Sequence, residues 1–174
     1  MQDIYQRAKR IRLAVFDVDG VLTDGGLSFA SSGEELKTFN VLDGHGMKML
    51  QESGVTLAVI TSRASRAVEE RMRNLGVGLV FQGAQDKLAA FNQLLAQQKV
   101  AAEAVSCIGD DLQDVPVMKR CGLAAAVPDA PAVVRRHAHY VTRARGGHGA
   151  AREMCELIMH AQGSLAARIA AFLG

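Results

Sequence analysis

The stretch Leu13-Ala14-Val15-Phe16-Asp17-Val18-Asp19-Gly20 constrains the fold of this chain more than any other. A short apolar run from Ile11 to Phe16 stops at two carboxylates one residue apart, with a glycine directly after them. The central strand of a parallel sheet reads this way, because both its faces are covered and apolar/polar alternation is lost. Asp17 and Asp19 are then expected at the strand's carboxyl end, where open α/β sheets form the crevice that takes ligands. Two carboxylates this close repel, and burial adds to the cost unless a cation or proton intervenes. A hard divalent ion such as Mg²⁺ meets that need with oxygen ligands and retained waters. A plain polar turn uses the same residue types, so the pair takes its meaning from what else reaches that end of the sheet.

Strand and helix signals alternate along the rest of the chain. Asp3 to Arg10 predicts a short helical lead-in. Gly25 to Ala30 and Glu35 to Phe39 alternate apolar and polar residues around Ser31-Ser32-Gly33-Glu34, which predicts a β-hairpin over about 26–39. Asp43 reads as the N-cap of a helix running to Ser53 and closed by Gly54. Val55 to Ile60 is a second buried strand, ending at Thr61-Ser62-Arg63. A helix from Ala64 to Leu75 and a strand from Leu79 to Phe81 follow, then a helix over about 85–98. Ala104 to Ile108 is a further strand that stops at Gly109-Asp110-Asp111. Helix Val115 to Arg120, strand Leu123 to Val127, helix Ala130 to Arg136, strand Tyr140 to Thr142 and helix Glu153 to Ala161 complete the pattern. Residues 163–174 are Ala-rich, frayed or helical, and carry no readable chemistry. Such alternation predicts an α/β fold with a doubly wound, Rossmann-like parallel sheet.

With 174 residues, 49% of them hydrophobic, and no Pro/Gly/Ser-rich linker, a single domain over 1–174 is expected, its core at about 11–161. Twenty Lys and Arg against 18 Asp and Glu leave a net charge of +2, which argues against nucleic-acid or membrane attraction by charge. Trp is absent and aromatics are 5%, so no stacking platform for bases is expected. Cys107, Cys121 and Cys155 lack zinc or disulfide spacing and read as reduced, buried thiols of a cytoplasmic protein. Met1 to Arg10 lacks the apolar core of a signal peptide, and no run approaches the ~20 apolar residues of a membrane span.

Right-handed crossovers place the carboxyl ends of parallel strands on one side of the sheet. Asp17, Asp19, Thr61, Lys87, Asp110, Asp111 and Asp114 can therefore converge. Acids, a hydroxyl and one lysine suit phosphoryl transfer, which depends on positioning and charge neutralisation. A carboxylate can itself be the nucleophile, with a second acid protonating the leaving alcohol and later taking a proton from water. Gly20, Gly25 and Gly26 let the backbone after the strand bend round a phosphate.

Asp17-Val18-Asp19-Gly20-Val21-Leu22-Thr23-Asp24-Gly25, Thr61, Lys87 and Gly109-Asp110-Asp111-Leu112-Gln113-Asp114 resemble the four ordered motifs of haloacid-dehalogenase (HAD) superfamily phosphatases. Leu36 to Gly44, Ile60 to Arg63, Phe81-Gln82-Gly83, Asp110 to Met118 and Tyr140 to Gly149 carry a closer likeness, to small members that act on phosphorylated sugar acids. The resemblance implies a HAD-type fold with no separate cap domain and an aspartyl-phosphate mechanism. Asp17 would be the nucleophile and Asp19 the general acid and base. Mg²⁺ would be held by the Asp17 carboxylate, the Asp19 main-chain oxygen and Asp110. Thr61 and Lys87 would bind the phosphoryl group, and Asp114, with Asp111, would support them from behind. Ser62, Arg63 and Arg71 are candidates for the sugar acid, since guanidinium groups pair well with carboxylates. The resemblance also implies a homotetramer assembled through the hairpin. Leu42, His45, Ser62 and His148 differ from the residues it leads one to expect.

The implied substrate is an eight-carbon sugar-acid 8-phosphate, with a nine-carbon 9-phosphate as the alternative. A receiver-like module would need a phosphoacceptor after the third strand, where Phe81 is followed by Gln82 and Gly83. A non-catalytic phosphatase-like module would not require every motif residue.

Overall fold

The computed structural model describes residues 2–173. The chain runs in order through α1 (Gln2–Ala8), β1 (Leu13–Phe16), β2 (Ser28–Phe29), β3 (Glu35–Leu36), α2 (Val41–Glu52), β4 (Thr56–Ile60) and α3 (Arg66–Leu75). It continues through β5 (Leu79–Phe81), α4 (Lys87–Gln98), β6 (Val105–Gly109), α5 (Val115–Met118), β7 (Leu123–Ala126), α6 (Ala132–Arg135), β8 (Tyr140–Val141), α7 (Ala150–Ala161) and α8 (Leu165–Leu173).

Six strands form one sheet in the order β5-β4-β1-β6-β7-β8, and every pairing in it is parallel. β1 lies between β4 and β6, with Phe16 opposite Val59 on one side and Ile108 on the other. All four of its residues are buried, which accounts for the unbroken apolar run. Strand order reverses at β1, so the crevice of the switch point opens beyond the ends of β1, β4 and β6. Those ends deliver Asp17, Thr61 and Asp110.

The core gathers Phe16, Met47, Leu50, Met72, Phe91, Leu94, Leu123, Met154 and Cys155 from both ends of the chain. α2 packs along α7, and α7 also meets α1, while α4 packs on α5. α2, α4 and α7 bury apolar side chains in the core, and such burial supplies most of a helix's stability.

Two expectations change. The N-cap of α2 is Asn40, whose side chain accepts from the Leu42 N–H at 2.8 Å. Asp43 is instead buried and accepts from the N–H groups of Gly149 (3.2 Å) and Arg152 (2.8 Å), tying α2 to the start of α7. The hairpin pairs only Ser28 with Leu36 and Phe29 with Glu35, so its ladder is much shorter than the alternating arms suggest. Its apolar side chains point out, with Leu27 53%, Phe29 60% and Leu36 51% exposed. The Ala-rich segment is helical as α8, with Phe172 against the His45 ring.

All three cysteines are buried and free, and Cys107 Sγ lies 3.1 Å from Cys121 Sγ. His139 accepts from the Ala124 N–H through Nδ1 at 2.9 Å, and burial lowers its pKa.

Candidate active site

A pocket of about 280 Å³ opens at the switch point and is lined by Asp17, Asp19, Thr61, Ser62, Arg63, Lys87, Asp110, Asp111 and Gln113. Asp114 sits beneath it, buried. The groups expected from four separate segments therefore meet at one place.

Lys87 is the first residue of α4, behind the Asp86 N-cap. A cation in that turn opposes the helix macrodipole, and a lysine 4% exposed is costly unless paired. Two carboxylates account for its position: Lys87 Nζ lies 2.8 Å from Asp17 Oδ2 and 2.7 Å from Asp114 Oδ1. Burial works to lower the lysine's pKa, but the charges of Asp17 and then Asp114 outweigh it and the net shift is upward. Asp17 is also raised well above the usual carboxylate range, by burial first and then by the Asp114 charge, with Lys87 opposing the rise. The Val18 N–H donates to Asp17 Oδ1 at 2.7 Å and fixes its second oxygen.

Beyond β6, Asp111 caps the turn Leu112–Asp114 by accepting from the Leu112 N–H. Asp114 Oδ2 accepts from the N–H groups of Asp110 (3.1 Å) and Asp111 (3.2 Å). A Cβ on Gly109 would stand 2.4 Å from Asp114 Cβ, so this reverse contact requires glycine there. Thr61 is 1% exposed at the end of β4. Ser62 Oγ donates to the Ala84 carbonyl and lies against Gln113 Oε1, bridging two walls of the pocket.

One oxygen each from Asp17, Asp110 and Asp114 lies within 4.8 Å of the others. Asp114 is already committed to Lys87 and two backbone N–H groups, which leaves Asp17 and Asp110 facing one another. Burial, then the Asp114 charge, pushes Asp110 up to about 6. A divalent cation between the two carboxylates would relieve that repulsion. Gly20 closes the far side at a φ of +83°, where an added Cβ would stand 2.1 Å from Asp110 Oδ2. The donor set, all oxygen, fits magnesium.

Two substrate candidates differ in outcome. Arg63 lines the pocket, paired with Glu35 from the hairpin and with Nε 4.0 Å from Asp19 Oδ2. Arg71 is not brought to this pocket: its guanidinium lies over the Phe39 ring and donates to the Asn40 carbonyl, beside α2. His148 is exposed in the loop before α7 and does not line the pocket either.

The sequence reading missed Lys37, whose ammonium contacts Asp19 Oδ1 and lies 2.7 Å from Glu35 Oε1. Alternation in the hairpin arm would place Leu36 inward and Lys37 in solvent. The reverse holds, because the hairpin turns its charged side to the site.

An acid-rich pocket at the switch point of a parallel sheet, with a buried lysine bridging two carboxylates, defines a hydrolase of the haloacid dehalogenase-like class, and the model of that family matches residues 79–154. A 3-deoxy-D-manno-octulosonate 8-phosphate phosphatase of Yersinia pestis is 48% identical over 94% of this chain and 87% of its own length. The same enzyme of Escherichia coli K12 is 47% identical with the same coverage. Among solved structures, a 3-deoxy-D-manno-octulosonate 8-phosphate phosphatase of Moraxella catarrhalis in complex with magnesium, phosphate and KDO superposes with a TM-score of 0.97. It is 42% identical and covers 99% of each chain. A probable YrbI family phosphatase of Pseudomonas syringae gives a TM-score of 0.98 and 55% identity, covering 100% of this chain and 99% of the other. The chain belongs to the 3-deoxy-D-manno-octulosonate 8-phosphate phosphatase family.

Proposed function

We propose that this chain hydrolyses 3-deoxy-D-manno-octulosonate 8-phosphate to 3-deoxy-D-manno-octulosonate and phosphate, a step in lipopolysaccharide precursor synthesis. The observation that carries the reading is the meeting of Asp17, Asp110 and Lys87 at the end of β1, in a chain 48% identical to such an enzyme.

In this reading the Asp17 carboxylate attacks phosphorus, and the bond from phosphorus to the sugar O8 breaks as Asp19 gives that oxygen a proton. The aspartyl-phosphate so formed divides one hard displacement into two. Asp19 then takes a proton from the water that attacks phosphorus, the bond to Asp17 breaks and phosphate leaves. Lys87 and Thr61 hold the phosphoryl oxygens. Asp114 keeps Lys87 in place, and Asp111 shapes the turn that carries Asp110 and Asp114. Magnesium bound by the Asp17 carboxylate, the Asp19 main-chain oxygen and Asp110 would neutralise charge on the phosphoryl group. Ser62 and Arg63 face the sugar acid; a contact from Arg71 would have to reach the pocket of a second copy.

The exposed Leu27, Phe29 and Leu36 support the hairpin as the contact surface of a homotetramer. No helix among the described residues is long and apolar enough to cross a membrane, and buried free thiols suit a cytoplasmic enzyme.

Phosphate release measured on a panel of sugar-acid phosphates tests the substrate. The eight-carbon 8-phosphate should be turned over far faster than the nine-carbon 9-phosphate. Equal or reversed rates would remove the substrate assignment and leave the mechanism standing.

A further inference from the structure

The hairpin strands β2 and β3 pair over two residues each, and an isolated two-stranded hairpin is marginal in water. What docks it to the sheet domain is a set of charges. Lys37 lies between Asp19 and Glu35, Glu35 pairs onward with Arg63, and Arg63 stands 4.0 Å from Asp19. The Lys37 side chain is 2% exposed, against 44% for Arg63. A lysine is almost never this buried without carboxylate partners, and one of its two partners lines the reacting pocket.

We propose that Lys37 is a positioning residue: its ammonium fixes the Asp19 carboxyl at the place from which it serves the departing sugar oxygen. The hairpin is then a working part of the site as well as an outer surface. This rests on the phosphatase reading above. An aspartate side chain turns about two bonds, and without Lys37 nothing else within ordinary hydrogen-bond distance holds the Asp19 side chain among the described residues. A displacement of about 1 Å at a reacting group costs on the order of 10²-fold in rate.

The leaving group separates this role from a merely structural one. A sugar phosphate must expel a poor alkoxide and needs the proton from Asp19, whereas p-nitrophenyl phosphate expels a stable phenolate and needs little help. kcat/KM covers steps only as far as departure of the alcohol, so later hydrolysis does not enter it. In Lys37→Met, kcat/KM for the best sugar phosphate should fall about 30-fold or more, and that for p-nitrophenyl phosphate about tenfold less than this. Lys37→Arg should recover part of the sugar-phosphate loss. Lys37→Leu, which is apolar and shorter, is measured in parallel so that one folded variant suffices, with a cooperative thermal transition as the criterion of folding. Equal losses on both substrates, or no loss on the sugar phosphate, overturn the role of Lys37 alone. A wild-type chain that hydrolyses neither substrate overturns the phosphatase reading and this proposal with it.

Discussion

Replacing Lys87 by methionine keeps an unbranched apolar stem and removes the ammonium from between Asp17 and Asp114. In the native chain that ammonium is 2.8 Å from one carboxylate and 2.7 Å from the other, on a side chain 4% exposed. Removing one partner of a buried ion pair costs about 3–5 kcal/mol, because the remaining charge is left uncompensated. For a chain of this length each kcal/mol corresponds to about 2–4 °C, so the melting temperature should fall by about 10 °C near pH 8 in EDTA. The loss must depend on pH, with a definite sign. Burial and Asp114 already hold Asp17 above its unfolded value of 3.8. A carboxyl raised in this way contributes stability that is complete below 3.8 and is lost as pH rises through its native value. Without Lys87 that native value climbs further, so the variant's deficit should grow from about pH 5 to about pH 8. Urea denaturation at both pH values measures it. A deficit that is equal at the two, or under ~1 kcal/mol at the higher, would refute the electrostatic account of this cluster. Turnover should fall by about 10²-fold or more, since in the proposed mechanism Lys87 also holds the phosphoryl oxygens.

Asp17→Asn should leave the fold intact and abolish phosphate release; a tenth of the activity remaining would rule out a covalent aspartyl intermediate. Asp110, held at about 6, and Asp17, raised by burial, must lose their protons to bind metal, so magnesium affinity by calorimetry should weaken by at least about tenfold for each pH unit below about 6. The metal-free chain keeps the Asp110 contribution to stability below 3.8 and loses it as pH rises through about 6. Magnesium should therefore raise the melting temperature more at about pH 8 than at about pH 5, and an affinity that does not change with pH would remove Asp110 as a ligand. Gly122→Ala would place a Cβ 1.9 Å from the Glu103 carbonyl oxygen, backbone against backbone. A cost of about 1–3 kcal/mol is expected in denaturant melts with kcat unchanged.

The sequence was most legible where burial leaves a local pattern. β1 is buried along its whole length, so its apolar run both marks the strand and locates its end. The same holds for β4 and β6, whose last residues introduce Thr61 and Asp110. It was least legible where two residues compete for one role. Asp43 read as the helix cap, but Asn40 holds the place, and the Asp43 carboxyl is taken by backbone N–H groups more than a hundred residues later. Arg71 carries the same chemistry as Arg63, yet only Arg63 lines the pocket, because α3 turns Arg71 toward Phe39 and Asn40. In the hairpin, alternation identified two arms without assigning their faces. Local periodicity separates two faces without saying which is inward, and here Lys37 meets Asp19 while Leu36 is exposed.

The order of strands and helices, the carboxylates at the strand ends and the convergence of those ends were properties of the sequence. Apolar runs are local, and right-handed crossovers leave parallel strands one direction in which to end. The partners of each buried charge belonged to the tertiary structure alone. Lys87 between Asp17 and Asp114, and Lys37 between Asp19 and Glu35, are pairings across distant segments. Ion pairing depends on separation in space and on exclusion of water, and only the folded chain sets either one.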